Sequence, residues 1–208
     1  MTTRETEIRE QPARSADPAG NQRLTAMTGT VLLVLFAAEC LTLLSLGNLL
    51  TLHFFLGMLL VGPVCLKIGS TLWRFTRYYT GSAAYVRRGP PAPLQRVTGP
   101  FVILTTAAVL GTGIMLMVEG GGPGSESWIQ LHRMSFLAWA LVMFIHLASY
   151  VPKLPRMLSG RANHARYLLA APATRWLLLC GSLAVGVALA RATCHLSVNW
   201  GASGGILP

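Results

Sequence analysis

Residues 24–66 read LTAMTGTVLLVLFAAECLTLLSLGNLLTLHFFLGMLLVGPVCL, and Glu39 is the one charged side chain among them. The hydrocarbon core of a bilayer is crossed by about 20 apolar residues, so this tract, which runs to Lys67, is too long for one crossing and must turn. Gly47-Asn48 is the predicted break, because glycine and asparagine favour turns inside an otherwise regular apolar pattern. The segment therefore reads as two helices forming a hairpin. Three further uncharged runs follow at 97–118, 134–152 and 176–190. The last is short and is flanked by Arg175 and Arg191, whose long side chains must snorkel to the headgroups. The predicted fold class is all-α: a polytopic membrane helical bundle of about five transmembrane helices.

Composition agrees. Hydrophobic residues make up 52% of the 208, charged residues only 12%, and mean hydropathy is +0.52. An ordinary soluble domain carries about a quarter charged residues, which excludes a typical water-soluble enzyme. The net charge of +10 comes from 17 Lys and Arg against 7 Asp and Glu. These bases sit between apolar runs, so they point to topology and membrane lipids, with no nucleic acid implied. The segment after the second helix holds Arg74, Arg77, Arg87, Arg88 and Arg96, and the segment after the fourth holds Lys153, Arg156, Arg161, Arg166 and Arg175, both without an acid. The connection from Glu119 to Ser127 holds two glutamates and no base. The positive-inside rule then puts the N-terminus inside. Residues 1–26 read as a disordered cytoplasmic tail, 27–196 as the transmembrane domain and 197–208 as an external tail.

Cys40, Cys65, Cys180 and Cys194 form no CxxC pair and no CxxCH attachment motif, so they read as packing residues. No P-loop, GxGxxG, GxSxG or HExxH sequence is present, and no internal repeat with a period of 20 to 50 residues is visible.

The histidines carry the functional signal, since an imidazole inside a bilayer is costly unless it faces the bundle interior and has a partner. His132 and His146 are 14 positions apart, which returns them to within roughly 40° of one helix face about 21 Å apart. His53 lies five residues beyond Asn48 and His132 five beyond Ser127-Trp128 interface residues, so each is roughly 7 to 8 Å below the outer surface. Two neutral imidazoles at one depth on two helices are what a low-spin haem iron needs as axial ligands. Gly57 and Ser135, about one turn further in, are small enough to admit a macrocycle. At the inner level His146 pairs in depth with Lys67, 14 residues after His53. A lysine ligates iron only when deprotonated; otherwise it binds a propionate, a lipid phosphate or Glu39. Without a cofactor, interfacial histidines hydrogen-bond loop carbonyls, and His146 reaches Thr105 or Thr106. His195 stands just outside the fifth helix as a rival outer ligand, and His164 sits in a basic loop. Glu39 reads either as a proton-transfer group or as a neutral carboxyl bonded to a neighbouring helix. The run RFTRYYTG with Tyr85, Arg87, Arg88, Gly89, Pro90 and Pro91 reads as an aromatic and basic anchor to anionic lipid, or as a clamp for propionates or a quinone headgroup.

His-x13-His on one membrane helix, opposed by histidine on another, resembles the integral-membrane b-type cytochromes, the b561-like and di-haem quinone-linked proteins. The wording of LHFFLGMLLVGPVCLKIGSTLWRFTRYYTGSAAYVRRGPPAP, GPFVILTTAAVLGTG and LHRMSFLAWALVMFIH is also similar to a family of uncharacterised actinobacterial membrane proteins, over about residues 50–150. The b-type resemblance implies haem b, electron transfer through the bilayer, and a quinone or a redox subunit as partner. By position it implies His53 and His132 as an outer ligand pair and His146 as one inner ligand, with Lys67 departing from a four-histidine set. One haem is expected at the outer level, and a second depends on His146. The competing reading is a haem-free scaffold or assembly subunit whose polar residues cross-link helices. Neither reading makes the chain an enzyme by itself.

Overall fold

The computed structural model describes residues 18–87, 89, 93–122, 124–149 and 173–201. Arg88, Pro90, Pro91, His164 and the bases Lys153, Arg156, Arg161 and Arg166 lie outside the described residues. Every element is helical, in the order α1 (Pro18–Thr42), a 3-10 turn (Leu43–Ser45), α2 (Leu46–Tyr79), α3 (Ala83–Val86), α4 (Pro93–Glu119), α5 (Ser125–Ala148), α6 (Ala173–Thr193), a 3-10 turn (Cys194–Ser197) and α7 (Val198–Gly201). Four helical runs are long and apolar enough to cross a membrane: Pro18–Tyr79, Pro93–Glu119, Ser125–Ala148 and Ala173–Trp200. The first, at 62 residues, contains both legs of the expected hairpin. Asn21 Nδ2 donates to the Ser70 carbonyl at 2.9 Å, and His53 bonds Thr42, so α1 and α2 run antiparallel along their length.

The reversal falls at Leu43–Ser45, slightly before the predicted Gly47-Asn48, which lie in the first turn of α2. Ser45 leaves the helical region (φ −149°, ψ 58°), and its hydroxyl accepts a 3.0 Å bond from Asn48 Nδ2. α1 also begins at Pro18, inside the stretch expected to be tail, and α7 occupies part of the expected external tail.

A second hairpin, α4–α5, is joined by residues 120–124, where Gly120 (φ 74°) and Gly124 (φ 127°) take conformations that other residues adopt only with strain. α6 packs on α2 by close backbone approach. A Cβ on Gly62 would collide with the Ser182 carbonyl, and one on Gly186 with the Leu59 carbonyl. Leu59 is four residues before Pro63, which has no N–H to offer that carbonyl, so Gly186 packs where the helix's own hydrogen bond is missing. Small residues facing each other in this way are how membrane helices gain dispersion contacts without a hydrophobic driving force. The outward faces are apolar: Leu137, Leu141 and Phe144 on α5 and Leu177 on α6 are all exposed. That surface suits lipid as its solvent, since a water-soluble monomer does not leave so large an apolar face uncovered.

Candidate functional site

Each of the three helix-borne histidines is held in the same way. His53 Nδ1 lies 2.8 Å from Thr42 Oγ1, His132 Nδ1 3.0 Å from Thr112 Oγ1, and His146 Nδ1 3.1 Å from Thr98 Oγ1. A threonine hydroxyl has one proton. Thr42 donates its proton to the Glu39 carbonyl at 2.6 Å, Thr112 to the Ala108 carbonyl at 2.8 Å and Thr98 to the Leu94 carbonyl at 2.9 Å. The threonine oxygens are then acceptors, so each Nδ1 carries a hydrogen and points away from any partner of Nε2. This is the tautomer of a metal ligand whose other ring nitrogen is fixed by an outer partner.

The partner of His146 differs from the expected Thr105 or Thr106. α4 and α5 are antiparallel, so the 14-residue step from His132 to His146 is matched by the 14-residue step from Thr112 back to Thr98. Thr105 bonds its own helix, and Thr106 accepts from Trp139 Nε1 at 3.1 Å. Glu39 also departs from the sequence picture: its Oε1 lies 3.0 Å from His53 Nδ1, so this carboxyl backs the same nitrogen as Thr42 and does not reach Lys67. Its Oε2 is buried with no hydrogen-bond partner among the described residues.

His53 and His132 come together across the two hairpins, with ring centres 6.4 Å apart and planes at 79°. Both line a cavity of about 340 Å³ between α1–α2 and α4–α5, together with Glu39, Gly57, Gly113 and Arg133. Gly113 makes room for the imidazole, since a Cβ there would stand 3.2 Å from His132 Cε1. Gly57 likewise leaves a gap, with the nearest atom to its missing Cβ being Glu39 Oε1 at 3.5 Å. Ser135 turns away from the cavity's needs: its hydroxyl bonds the His132 carbonyl at 2.8 Å and sits 3.1 Å from Thr112 Oγ1. The remaining lining is apolar, including Phe36, Phe54, Met58, Phe136, Trp139 and Trp200. Trp200, placed by the short α7, has no counterpart in the sequence reading because nothing local ties that tail to the bundle.

The lining suits haem b: two imidazoles from facing hairpins would hold the iron, the cavity is largely apolar, and Arg133 would meet the carboxylate groups. Among the described residues no group of three or more His, Cys, Asp or Glu is placed to hold a metal ion.

At the other level the arrangement differs. Lys67 Nζ donates to the Thr25 carbonyl at 2.7 Å, so neither Glu39 nor any other carboxylate of the described residues neutralises it in this arrangement. It lies within electrostatic reach of His146. His195 is exposed on the 3-10 turn after α6 and does not line the cavity. All four cysteines are free. In the anchor segment Arg77 stacks over Trp73 at 5.6 Å and Arg96 bonds Tyr79 at 3.3 Å, while Tyr85 is buried. Comparison with protein-family models, with curated proteins and with solved structures finds no match to the chain.

Proposed function

We propose that the chain is a b-type cytochrome-like electron carrier of the bacterial cytoplasmic membrane, holding haem b between His53 and His132. The observation that carries this reading is the pair of imidazoles 6.4 Å apart in one cavity, each fixed through Nδ1 by a threonine oxygen. When bound, haem b supplies a reversible one-electron couple. The protein's own part is to hold both rings through Nδ1, to exclude water with Phe36, Phe54, Phe136 and Trp139, and to offer Arg133 to the propionates. Glu39 adds a carboxyl group behind His53 that His132 lacks, so the two histidines are chemically unequal. The electron partners implied are a membrane quinone or a redox subunit.

The five helices α1, α2, α4, α5 and α6 are read as transmembrane, with the N-terminus inside and the His53–His132 cavity towards the outer surface. Arg74, Arg77, Arg87 and Arg96 at the opposite end support this orientation through the positive-inside rule. Cysteine labelling at residues 87 and 121 reads it directly. Labelling of the 121 position only from the cytoplasm reverses the orientation.

The decisive measurement is a reduced-minus-oxidised visible spectrum of protein purified after expression with ample haem. A low-spin Soret and α-band pattern that disappears in His53→Ala and in His132→Ala is the expected result. With no Soret band in the wild type, the polar cross-links between helices are the whole of the site's role and the chain is a haem-free scaffold or assembly subunit.

A further inference from the structure

The two hairpins are copies of one pattern. Leu24, Thr28, Gly29, Ala37, Ala38 and Thr42 of α1 recur 70 residues later in α4 as Leu94, Thr98, Gly99, Ala107, Ala108 and Thr112. Leu52, His53 and Ser70 of α2 recur 79 residues later as Leu131 and His132 in α5 and Ser149 directly after it. The hydrogen bonds repeat with the residues. Thr28 and Thr98 both donate four residues back, to Leu24 and Leu94. Ser70 and Ser149 both donate three residues back, to the carbonyls of Lys67 and His146. The offset differs between the two legs because the connections differ in length, and it lies outside the range of a solenoid-type repeat.

This register makes Lys67 the counterpart of His146, as His53 is the counterpart of His132. The first hairpin thus has a lysine where the pattern calls for an imidazole. Lys67 is also tied down: Nζ donates to the Thr25 carbonyl and stands 2.9 Å from where a Cβ on Gly29 would be. The space between the two levels is filled. Leu32, Leu60 and Val64 form a buried cluster with Phe36 and Leu110, and Phe36 meets the buried Trp139 at 4.8 Å. Trp139 lies midway between His132 and His146, and with Phe36 it forms the part of the cavity wall nearest the Lys67 level.

Building on the haem reading of the His53–His132 pair, we infer that the Lys67–His146 level is the second site of a duplicated design, closed by Lys67, so that the chain carries a single cofactor level. A 14-residue helical step separates the levels by about 21 Å. With no carrier at the second level, electrons enter and leave at the His53–His132 end, and the protein exchanges them at one face instead of relaying them across the bilayer. A histidine at 67 restores the residue pair of the first level, with Thr98 already holding His146 through Nδ1.

The test is the haem-to-protein ratio of the full chain, purified in detergent after expression with haem b, for the wild type, Lys67→His, Lys67→His with His146→Ala, and His146→Ala alone. The expected ratios are one, two, one and one. A wild-type ratio of two, or loss of haem in His146→Ala alone, overturns the inference, because the second level is then already in use. A ratio of one in Lys67→His with an unchanged His53–His132 spectrum also overturns it, since the position is then no ligand position. A wild-type ratio of zero instead removes the haem reading on which the inference rests. Should Lys67→His disturb folding and lose all haem, the wild type and His146→Ala alone still decide whether the second level binds.

Discussion

The α1–α2 and α4–α5 hairpins share a register of threonines and a histidine at the turn end, yet they differ at the other end and in what covers them. In α4–α5 both levels hold a Thr-bonded histidine, and the outward face of α5 is bare apolar surface. In α1–α2 the second level holds Lys67 bonded to a carbonyl, and α2 is covered by α6 through Gly62 and Gly186. A helix pair can therefore keep its hydrogen-bonding frame while one position changes chemistry. The frame is made by threonines whose protons satisfy their own helix, so the side chain they face is free to diverge.

The comparison breaks most completely at the ligands. His53→Ala and His132→Ala should each remove the low-spin spectrum altogether, because one imidazole cannot hold both faces of the iron, and absorbance of the purified variants reads this. Either variant retaining the wild-type spectrum would place the haem, if present, elsewhere.

Next in size is the covering of α2. Gly62→Val or Gly186→Val drives a side chain into backbone that cannot move aside, and overpacking of this kind costs about 1–3 kcal/mol. Thermal unfolding in detergent should show a clear drop for both. The same change at Gly111, where no atom lies within reach of an added Cβ, should have little effect.

Thr112→Val sharpens the role of the threonine frame. The shape is kept, but the His132 Nδ1 hydrogen loses its acceptor oxygen. Removing an outer partner of a ligating histidine typically costs 10–100-fold in affinity, so haem titration should show weaker binding with the fold intact. Thr98→Val, at the second level, should leave haem affinity unchanged, and equal losses in the two variants would erase the distinction between the levels. The smallest effect is expected from Trp139→Phe, which gives up the bond to Thr106 Oγ1, worth about 1 kcal/mol, while keeping the ring against Phe36. A modest loss of thermal stability with unchanged haem content is the expected outcome.

By itself the sequence determined the helical class and the near-equal depth of His53 and His132. Apolar run length and the pitch of a helix are local quantities, legible without knowing what packs against what. Lys67 as the odd residue at the second level was legible for the same reason, by the 14-residue spacing. Tertiary structure decided the rest. Glu39 backs His53 and not Lys67, and His146 meets Thr98 and not Thr105 or Thr106, because antiparallel register fixes partners that depth alone leaves ambiguous over a turn or more. The Thr frame was spread over helices 11, 20 and 48 residues from the histidines it holds, and it became visible only once the hairpins were closed. The backbone leaves the helical region at Ser45, ahead of Gly47-Asn48. Gly62 and Gly186 acquired their meaning from α6, since a glycine on a helix says nothing about contact until another backbone is found against it.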